Sequence, residues 1–306
     1  MKDDRYYRFS HYLREKFHCR VQRISVDAGF SCPNRDGALS HDGCIYCDNR
    51  GFSYNTRLPS RPLTVQIEEG IQAARKHFKA KKFMVYFQAF TNTYAALDVL
   101  KERYDTIKKF DDVVALAIGT RPDCVNKEIL SLINTYTKKY DVWIEYGLQS
   151  ANDETLQLIN RGHTCNDFIK AVRMTRRYRK IKICAHVIMG LPHEMVTDMV
   201  ATARLLHRLN IEGVKIHPLH VVKGTKLEAL YRAGSYEPLT LDAYIRLAAN
   251  FLENLSPETV IHRLSADCPA DLLVAPHWIC DKQNVIQMLE KYLVEIHAYQ
   301  GRVYFR

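Results

Sequence analysis

Short runs of β-branched and aromatic residues alternate along the chain with longer stretches whose apolar residues recur every three or four positions. This alternation is typical of repeated strand–helix units around a parallel sheet. Helices are predicted where the helical spacing is kept, as in Ile67, Ile71, Ala74 and Phe78. Seven runs predict strands: VQRISV (21–26), KFMVYFQ (82–88), VVALAIG (113–119), VWIEYGL (142–148), IKICAHVIMG (181–190), GVKIHPL (213–219) and TVIHRL (259–264).

The segments richest in chemically active side chains each follow a predicted strand. In a βα barrel such positions meet at the carboxyl ends of the strands, where active sites are built. A closed eight-unit barrel needs one more unit than the sequence supplies. We therefore predict an α/β fold with a partial (β/α)6 TIM-type barrel over residues 21–235. A basic, aromatic extension at 1–20 precedes it, and a C-terminal extension at 236–306 is expected to pack on the barrel and complete the substrate site.

Composition indicates a globular protein of a reducing compartment. The chain has 306 residues, of which 47% are hydrophobic and 25% charged. Its nine cysteines are an odd number, and six of them are scattered without paired spacing, which argues against a disulfide framework. No apolar run reaches the length of a membrane span. We expect a cytoplasmic protein without a membrane partner; the sequence gives no information on its oligomeric state.

The charge balance points to a polyanionic partner. Lys and Arg number 44 against 34 Asp and Glu, a formal net charge of +10. Cationic residues concentrate at 2–20, 75–82 and 173–182, and in the first of these segments they alternate with Tyr and Phe. Such a mixture suits phosphates and stacked bases, so this segment is predicted to contact nucleic acid. For the two internal runs a solvated surface is an equally good interpretation.

Three cysteines fall within sixteen residues and predict a metal centre. Cys44 and Cys47 have the C-x-x-C spacing that lets two thiolates bind one centre, and Cys32 precedes them. The spacing alone fits a zinc ion completed by His41. It fits equally a [4Fe–4S] cluster with three protein ligands and one free iron. The position after the first strand of a large βα array favours the open, catalytic site.

These cysteines and four further segments resemble the radical S-adenosylmethionine (SAM) enzymes. The similarity is greatest to members with the long C-x(n)-C-x2-C spacing, such as the catalytic subunit of Elongator and the YtqA/YhcC-type proteins. One departure is that the Gly-Gly-Glu stretch common after the second strand is here QAFTNT (88–93). The matching segments are the cysteine motif with Tyr46 between the last two cysteines, GTRPD (119–123), EYGLQS (145–150), RGHT (161–164) and MGLPHE (189–194).

The resemblance implies the cofactors and their ligands. Cys32, Cys44 and Cys47 would ligate a [4Fe–4S] cluster, and SAM would chelate the free iron. An external reductant would supply one electron. Tyr46 and the turn at Gly190, Leu191 and Pro192 would lie beside the adenine. Contacts to the rest of SAM are implied for Gln88, Arg121, Glu145 and Gln149, although polar residues at strand ends also have purely structural roles.

The substrate is indicated by residues beyond the cofactor set. Lys215, Arg263 and Asp267 are candidate catalytic residues in a polar pocket for an anionic group. The other candidates for this pocket are His217, His220, Lys223, His277 and Trp278. The resemblance and the charge together predict tRNA, bound at the anticodon region. The reaction implied is conversion of carboxymethylaminomethyluridine to aminomethyluridine at the wobble position. A radical SAM enzyme for a peptide or metabolite, and a zinc-containing RNA-binding protein, remain alternatives.

Overall fold

The computed structural model describes residues 4–303 and contains one all-parallel sheet of seven strands, each paired with its neighbour in chain order. Every predicted strand is present to within one residue at each end, and the predicted partial barrel is confirmed. The strands are β1 (Val21–Val26), β2 (Lys82–Phe87), β3 (Val113–Thr120), β4 (Asp141–Gln149), β5 (Ile181–Met189), β6 (Gly213–Pro218) and β8 (Val260–Leu264). A separate antiparallel pair is formed by β7 (Val221–Val222) and β9 (Leu273–Ala275).

Ten α-helices are assigned within residues 4–303. They are α1 (Phe9–Phe17), α2 (Leu63–Phe78), α3 (Leu97–Asp105), α4 (Lys127–Tyr136), α5 (Asp153–Leu158), α6 (Cys165–Thr175), α7 (Val196–Arg208), α8 (Lys226–Arg232), α9 (Leu241–Glu253) and α10 (Lys282–Glu295). Their apolar faces bury residues at helical spacing, as Ile67, Ile71 and Ala74 do on α2. Phe78, at the end of α2, is 43% exposed and packs under the guanidinium of Arg20, 4.9 Å from its ring centroid.

Helix α1 covers the gap between the edge strands β1 and β8. Phe9 and Leu13 are buried, and the Phe9 ring stacks on His262 with centroids 3.9 Å apart. Tyr12 packs edge-on against Trp143 at 5.4 Å and donates a hydrogen bond of 2.8 Å to Asp141. The aromatic side chains predicted to stack on bases are thus held in the barrel wall, because they cover apolar surface that an open sheet leaves exposed.

The cysteines lie in the long connection between β1 and α2, residues 27–62. Its backbone is fixed to later parts of the chain: Ile45 N donates to Ile159 O at 3.1 Å and Leu227 N donates to Ile45 O at 2.8 Å. The Asn160 side chain donates to Gly43 O at 2.7 Å. These bonds hold the loop over the carboxyl ends of the strands. No helix among the described residues is long and apolar enough to cross a membrane.

Candidate active site

A cavity of about 460 Å³ opens at the carboxyl end of the sheet. The cysteine loop and residues from all seven strands, or from the positions just after them, line it. Thirteen residues singled out from the sequence lie around this one space: Cys32, Cys44, Tyr46, Cys47, Gln88, Arg121, Glu145, Gln149, Lys215, His217, His220, Arg263 and Asp267.

Gly190 and Leu191, which were predicted to contact the cofactor, do not line the cavity. Gly190 has φ +83°, and its carbonyl oxygen accepts a hydrogen bond of 3.0 Å from the Tyr236 hydroxyl. Leu191 is buried in an apolar cluster next to the cysteine loop. Contact of these two residues with adenine stays a prediction.

The three thiols line one cavity, as the ligands of an iron–sulfur cube with one free iron would. Within residues 4–303, one group of three metal-binding side chains has all its ligand atoms within 4.8 Å of one another, and it does not include these cysteines. Sulfurs on a single tetrahedral zinc lie about 3.8 Å apart. A [4Fe–4S] cube binds each thiolate at a different iron and holds the sulfurs further apart. The cysteines still interact, since burial and the neighbouring Cys44 raise the pKa of the Cys47 thiol to about 12.

Arg161 and Asn34 surround the sulfur of Cys44. The Arg161 Nη1 atom lies 3.5 Å from Cys44 Sγ, and Asn34 Nδ2 lies 3.6 Å from it. Arg161 is also anchored by a 2.9 Å bond from Nη2 to Gly147 O. A Cβ at Gly147 would lie 2.5 Å from that Nη2, so a side chain here would displace the guanidinium from its present position. Hydrogen bonds to thiolate sulfur stabilise the ligated form and tune a cluster's potential.

Glu145 forms a buried ion pair with Lys215 in the interior of the barrel. Lys215 Nζ donates to Glu145 Oε2, and both side chains are at most 3% exposed. His186 Nε2 lies 2.8 Å from the same oxygen, and His262 Nδ1 lies 3.6 Å from Oε1. Although burial opposes ionisation, Lys215, His186 and other neighbours hold the pKa of Glu145 well below its ordinary value. Its carboxylate already has protein partners, so a contact with SAM stays a prediction.

Arg121 connects two of the sequence motifs. Its guanidinium is 2% exposed, binds both carboxylate oxygens of Asp123 at 2.9 and 2.8 Å and donates to Arg161 O at 2.9 Å. Gln88 donates from Nε2 to Phe52 O at 2.7 Å. Gln149 has φ +75° at the end of β4, a conformation that costs energy for a residue with a side chain and is typical of functional sites.

The remaining substrate candidates separate into two groups. His217 and His220 line the cavity with Arg263. Asp267 lies at its rim, where its carboxylate is 61% exposed and paired with Lys282. Lys223 and His277 are not among the lining residues. Trp278 packs on Tyr244, with centroids 5.2 Å apart, and donates to Leu239 O at 2.9 Å, which is a packing role.

Several residues of the site were not singled out from the sequence. They are Arg23, Asn34, Phe52, Tyr54, Tyr86 and His186, all of which line the cavity. Arg161 also lines it; its motif RGHT was noted, but no role was given to the arginine. The strand alternation that places Arg23 on the inner face of β1 is visible in VQRISV, yet the pattern does not tell an inward cation from a solvated one.

Comparison with known proteins assigns the family. Residues 32–206 match the Radical SAM superfamily and residues 211–295 match the Radical_SAM C-terminal domain. YtqA of Bacillus subtilis is 36% identical over 304 residues, covering 99% of this chain and 94% of YtqA. A tRNA uridine(34) acetyltransferase of Dehalococcoides mccartyi is 32% identical over 181 residues, covering 58% of this chain and 38% of the acetyltransferase.

The solved structure of Elp3 from Methanocaldococcus infernus, with an N-terminal deletion, has the same fold, with a TM-score of 0.67 at 19% identity. The match covers 93% of this chain and 67% of Elp3. The cofactors of the family are a [4Fe–4S] cluster and SAM, and the three thiols that line the cavity match the three protein ligands of such a cluster. The zinc interpretation is therefore wrong. The chain is an enzyme that belongs to the radical SAM superfamily.

Proposed function

We propose that this enzyme acts on tRNA, converting the carboxymethylaminomethyl side chain at C5 of the wobble uridine to an aminomethyl group. The observation that carries the proposal is the charge of the cavity, where arginines and a lysine surround the space beside the cysteines. A substrate whose side chain ends in a carboxylate matches such a lining.

The cofactor residues would have the following roles. Cys32, Cys44 and Cys47 would hold the cluster, with Arg161 and Asn34 beside the Cys44 sulfur. When bound, the cluster and SAM would supply a 5′-deoxyadenosyl radical and take back one electron. Removal of a hydrogen atom and that electron from the N–CH2–COO⁻ carbon would give an imine, which water would hydrolyse to the aminomethyl group and glyoxylate. The protein positions the side chain and excludes water.

Three observations support tRNA as the partner. First, exposed Arg14 and Arg20 line a groove between α1 and the edge strands, which adjoins the cavity. Second, a relative over 58% of this chain has a name that places its action at uridine 34 of tRNA. The chain spans 38% of that relative, so the likeness concerns the shared portion and not acetyl transfer. Phe52 and Tyr54 at the mouth, 36% and 72% exposed, suit stacking against an unpaired base.

The pocket for the substrate carboxylate can be narrowed. The sequence suggested Lys215 or Arg263, but Lys215 is already paired with Glu145. Arg263 has no carboxylate oxygen within 4.0 Å among residues 4–303. Arg263 is therefore the better candidate for the substrate, and Lys215 for positioning Glu145.

The test is a single reaction followed by nucleoside mass spectrometry. Anaerobically reconstituted, reduced enzyme with SAM is incubated with tRNA carrying carboxymethylaminomethyluridine. We expect aminomethyluridine to accumulate with the wild type and not with Cys44→Ala; the exposed Cys280→Ala serves as the matched control. An enzyme that cleaves SAM normally but leaves the nucleoside unchanged would refute this substrate and favour a peptide or metabolite.

A further inference from the structure

The lining of the cavity carries more cations than anions. Six cationic side chains face two carboxylates, Glu145 and Asp267. A cavity with low dielectric constant strengthens each charge interaction, so an excess of positive charge favours an anionic occupant. The six are Arg23, Arg35, Arg121, Arg161, Lys215 and Arg263.

Four of these six cations are already held in an ion pair or against the cysteine loop. Arg121 binds Asp123 and Lys215 binds Glu145. Arg161 lies against the sulfur of Cys44. Arg35 donates to the carbonyl oxygen of Cys47 at 2.8 Å. Arg23 and Arg263 remain, and neither has a carboxylate oxygen within 4.0 Å in the part of the chain that the structure describes.

Arg23 and Arg263 belong to the two edge strands, β1 and β8. They are the two residues that line both the cavity and the groove beside α1. A ligand held between them would therefore lie at the inner end of the cavity, where the two spaces adjoin. The sheet is open between these two edge strands.

The surroundings of Arg23 hold its guanidinium in place. No carboxylate oxygen of residues 4–303 lies within 4.0 Å of it, although Glu145 interacts with its charge at longer range. Its Cζ lies 5.1 Å from the ring centroid of Phe9 and 5.2 Å from that of Tyr86. Its Nη2 lies 3.4 Å from His262 Nδ1, which accepts this bond when the imidazole is neutral. Burial and other contacts lower the pKa of His262 to about 3. Cation–π contacts and one neutral acceptor fix the position of Arg23 and preserve its charge.

Arg263 also has N–H groups that can bind an anion. Its Nε donates to Ser265 O, and its terminal nitrogens have no hydrogen-bond partner among residues 4–303. A guanidinium anchored through Nε presents its two terminal N–H groups to a carboxylate, the arrangement that gives paired, charge-assisted hydrogen bonds.

We propose that Arg23 and Arg263 together form a subsite for a carboxylate of the substrate at the inner end of the cavity. The identity of that carboxylate, as the end of the carboxymethylaminomethyl side chain, rests on the proposed function. SAM also carries a carboxylate that two arginines can bind, and the experiment below distinguishes the carboxylate of the substrate from that of SAM.

The test measures binding to holoenzyme by calorimetry. The probes are 5-carboxymethylaminomethyluridine and 5-methylaminomethyluridine, which lacks the carboxylate. The wild type is expected to bind the first at least about tenfold more tightly, as hydrogen bonds between charged groups imply. Arg23→Met and Arg263→Met are each expected to reduce this preference severalfold, whereas Lys109→Met, at an exposed cation that lines neither the cavity nor the groove, should leave it unchanged. Iron content and thermal midpoint are compared first, and Arg23→Lys replaces Arg23→Met if the latter does not fold.

Each outcome decides the proposal. An equal affinity of the wild type for both nucleosides, or a preference that survives in both arginine variants, would overturn it. A loss of SAM affinity in the variants, with the nucleoside preference unchanged, would assign the arginines to SAM and also overturn it. If the preference for the carboxylate-bearing nucleoside depends on the two arginines but the enzyme leaves tRNA unmodified, the carboxylate subsite stands and the proposed function is refuted.

Discussion

The Nη1 atom of Arg161 lies 3.5 Å from Sγ of Cys44, although 117 positions separate the two residues. Burial opposes the charge of Arg161, but Cys44 and Tyr46 nevertheless hold the pKa of its guanidinium above the ordinary value. The contact joins the RGHT motif to the cysteine loop. It gives Arg161 a role in positioning the cluster that the motif alone did not reveal.

Replacing Arg161 by Met should make the cluster harder to reduce. The hydrogen bond stabilises the more negative, reduced state, and a loss of about 1 kcal/mol of that preference corresponds to about 40 mV for one electron. Redox titration followed by electron paramagnetic resonance measures the shift. Gly147→Ala should also lower the reduction potential, because its Cβ would lie 2.5 Å from Arg161 Nη2 and displace the guanidinium from the sulfur. An unchanged potential in both variants, with normal iron content, would contradict the role.

Breaking the buried pair of Glu145 and Lys215 should destabilise the fold strongly. Glu145→Gln or Lys215→Met alone leaves one buried charge without its main partner, at a cost of about 3–5 kcal/mol in the free energy of unfolding. The double variant should be more stable than the sum of the single effects predicts, since neither charge is then left behind. Urea unfolding measures all three.

The exposed pair of Asp267 and Lys282 provides the matched control. Its side chains are 61% and 45% exposed, so Lys282→Met should change the free energy of unfolding by less than about 1 kcal/mol. If breaking the exposed pair lowered the free energy of unfolding as much as breaking the buried pair, burial would not be the cause of the destabilisation.

Stability should fall as the pH is lowered below about 6.5. Burial, Lys215 and other neighbours lower the pKa of His186 to about 4, while burial and two arginines lower that of His163 to about 3. Between pH 6.5 and these lower values, the two histidines are therefore protonated in the unfolded chain but not in the folded chain. In that pH range, each histidine lowers the free energy of unfolding by up to about 1.4 kcal/mol for each unit by which the pH falls.

Unfolding in urea at a series of pH values from 7 to 4 measures this slope. His163→Gln should reduce the slope between pH 6.5 and 4, because one titrating group is removed, whereas the exposed His77→Gln should not. A free energy of unfolding that stays constant across this range would contradict the prediction.

Binding of tRNA should depend on salt and on the groove beside α1. Arg14→Ala and Arg20→Ala should each weaken binding and reduce the slope of log K against log salt by about 1, if each neutralises one phosphate. Anisotropy titrations at several salt concentrations measure both quantities. Lys109→Ala, an exposed cation on another face, is the control; an equal effect there would indicate unspecific attraction to a basic protein.

The sequence predicted the strands well because buried parallel strands are continuous apolar runs, and VVALAIG and VWIEYGL have no other easy interpretation. It also brought together most of the residues of the cavity, since positions after successive strands must meet. The pairing of Glu145 with Lys215 was not foreseen, because 70 positions separate them and no local pattern encodes the contact. The burial of Phe9 and the packing of the half-buried Tyr12 were also missed, because an amphipathic basic helix has the same sequence pattern on a barrel wall and on RNA.

The central claim is that three cysteines hold an open-site iron–sulfur cluster, and metal analysis tests it most directly. Protein purified without oxygen is assayed for iron, sulfide and zinc, with absorption spectra before and after dithionite. We predict about four irons and four sulfides per chain, lost in the Cys32→Ala/Cys44→Ala/Cys47→Ala variant and retained in Cys280→Ala. One zinc per chain and no visible absorption would contradict the account.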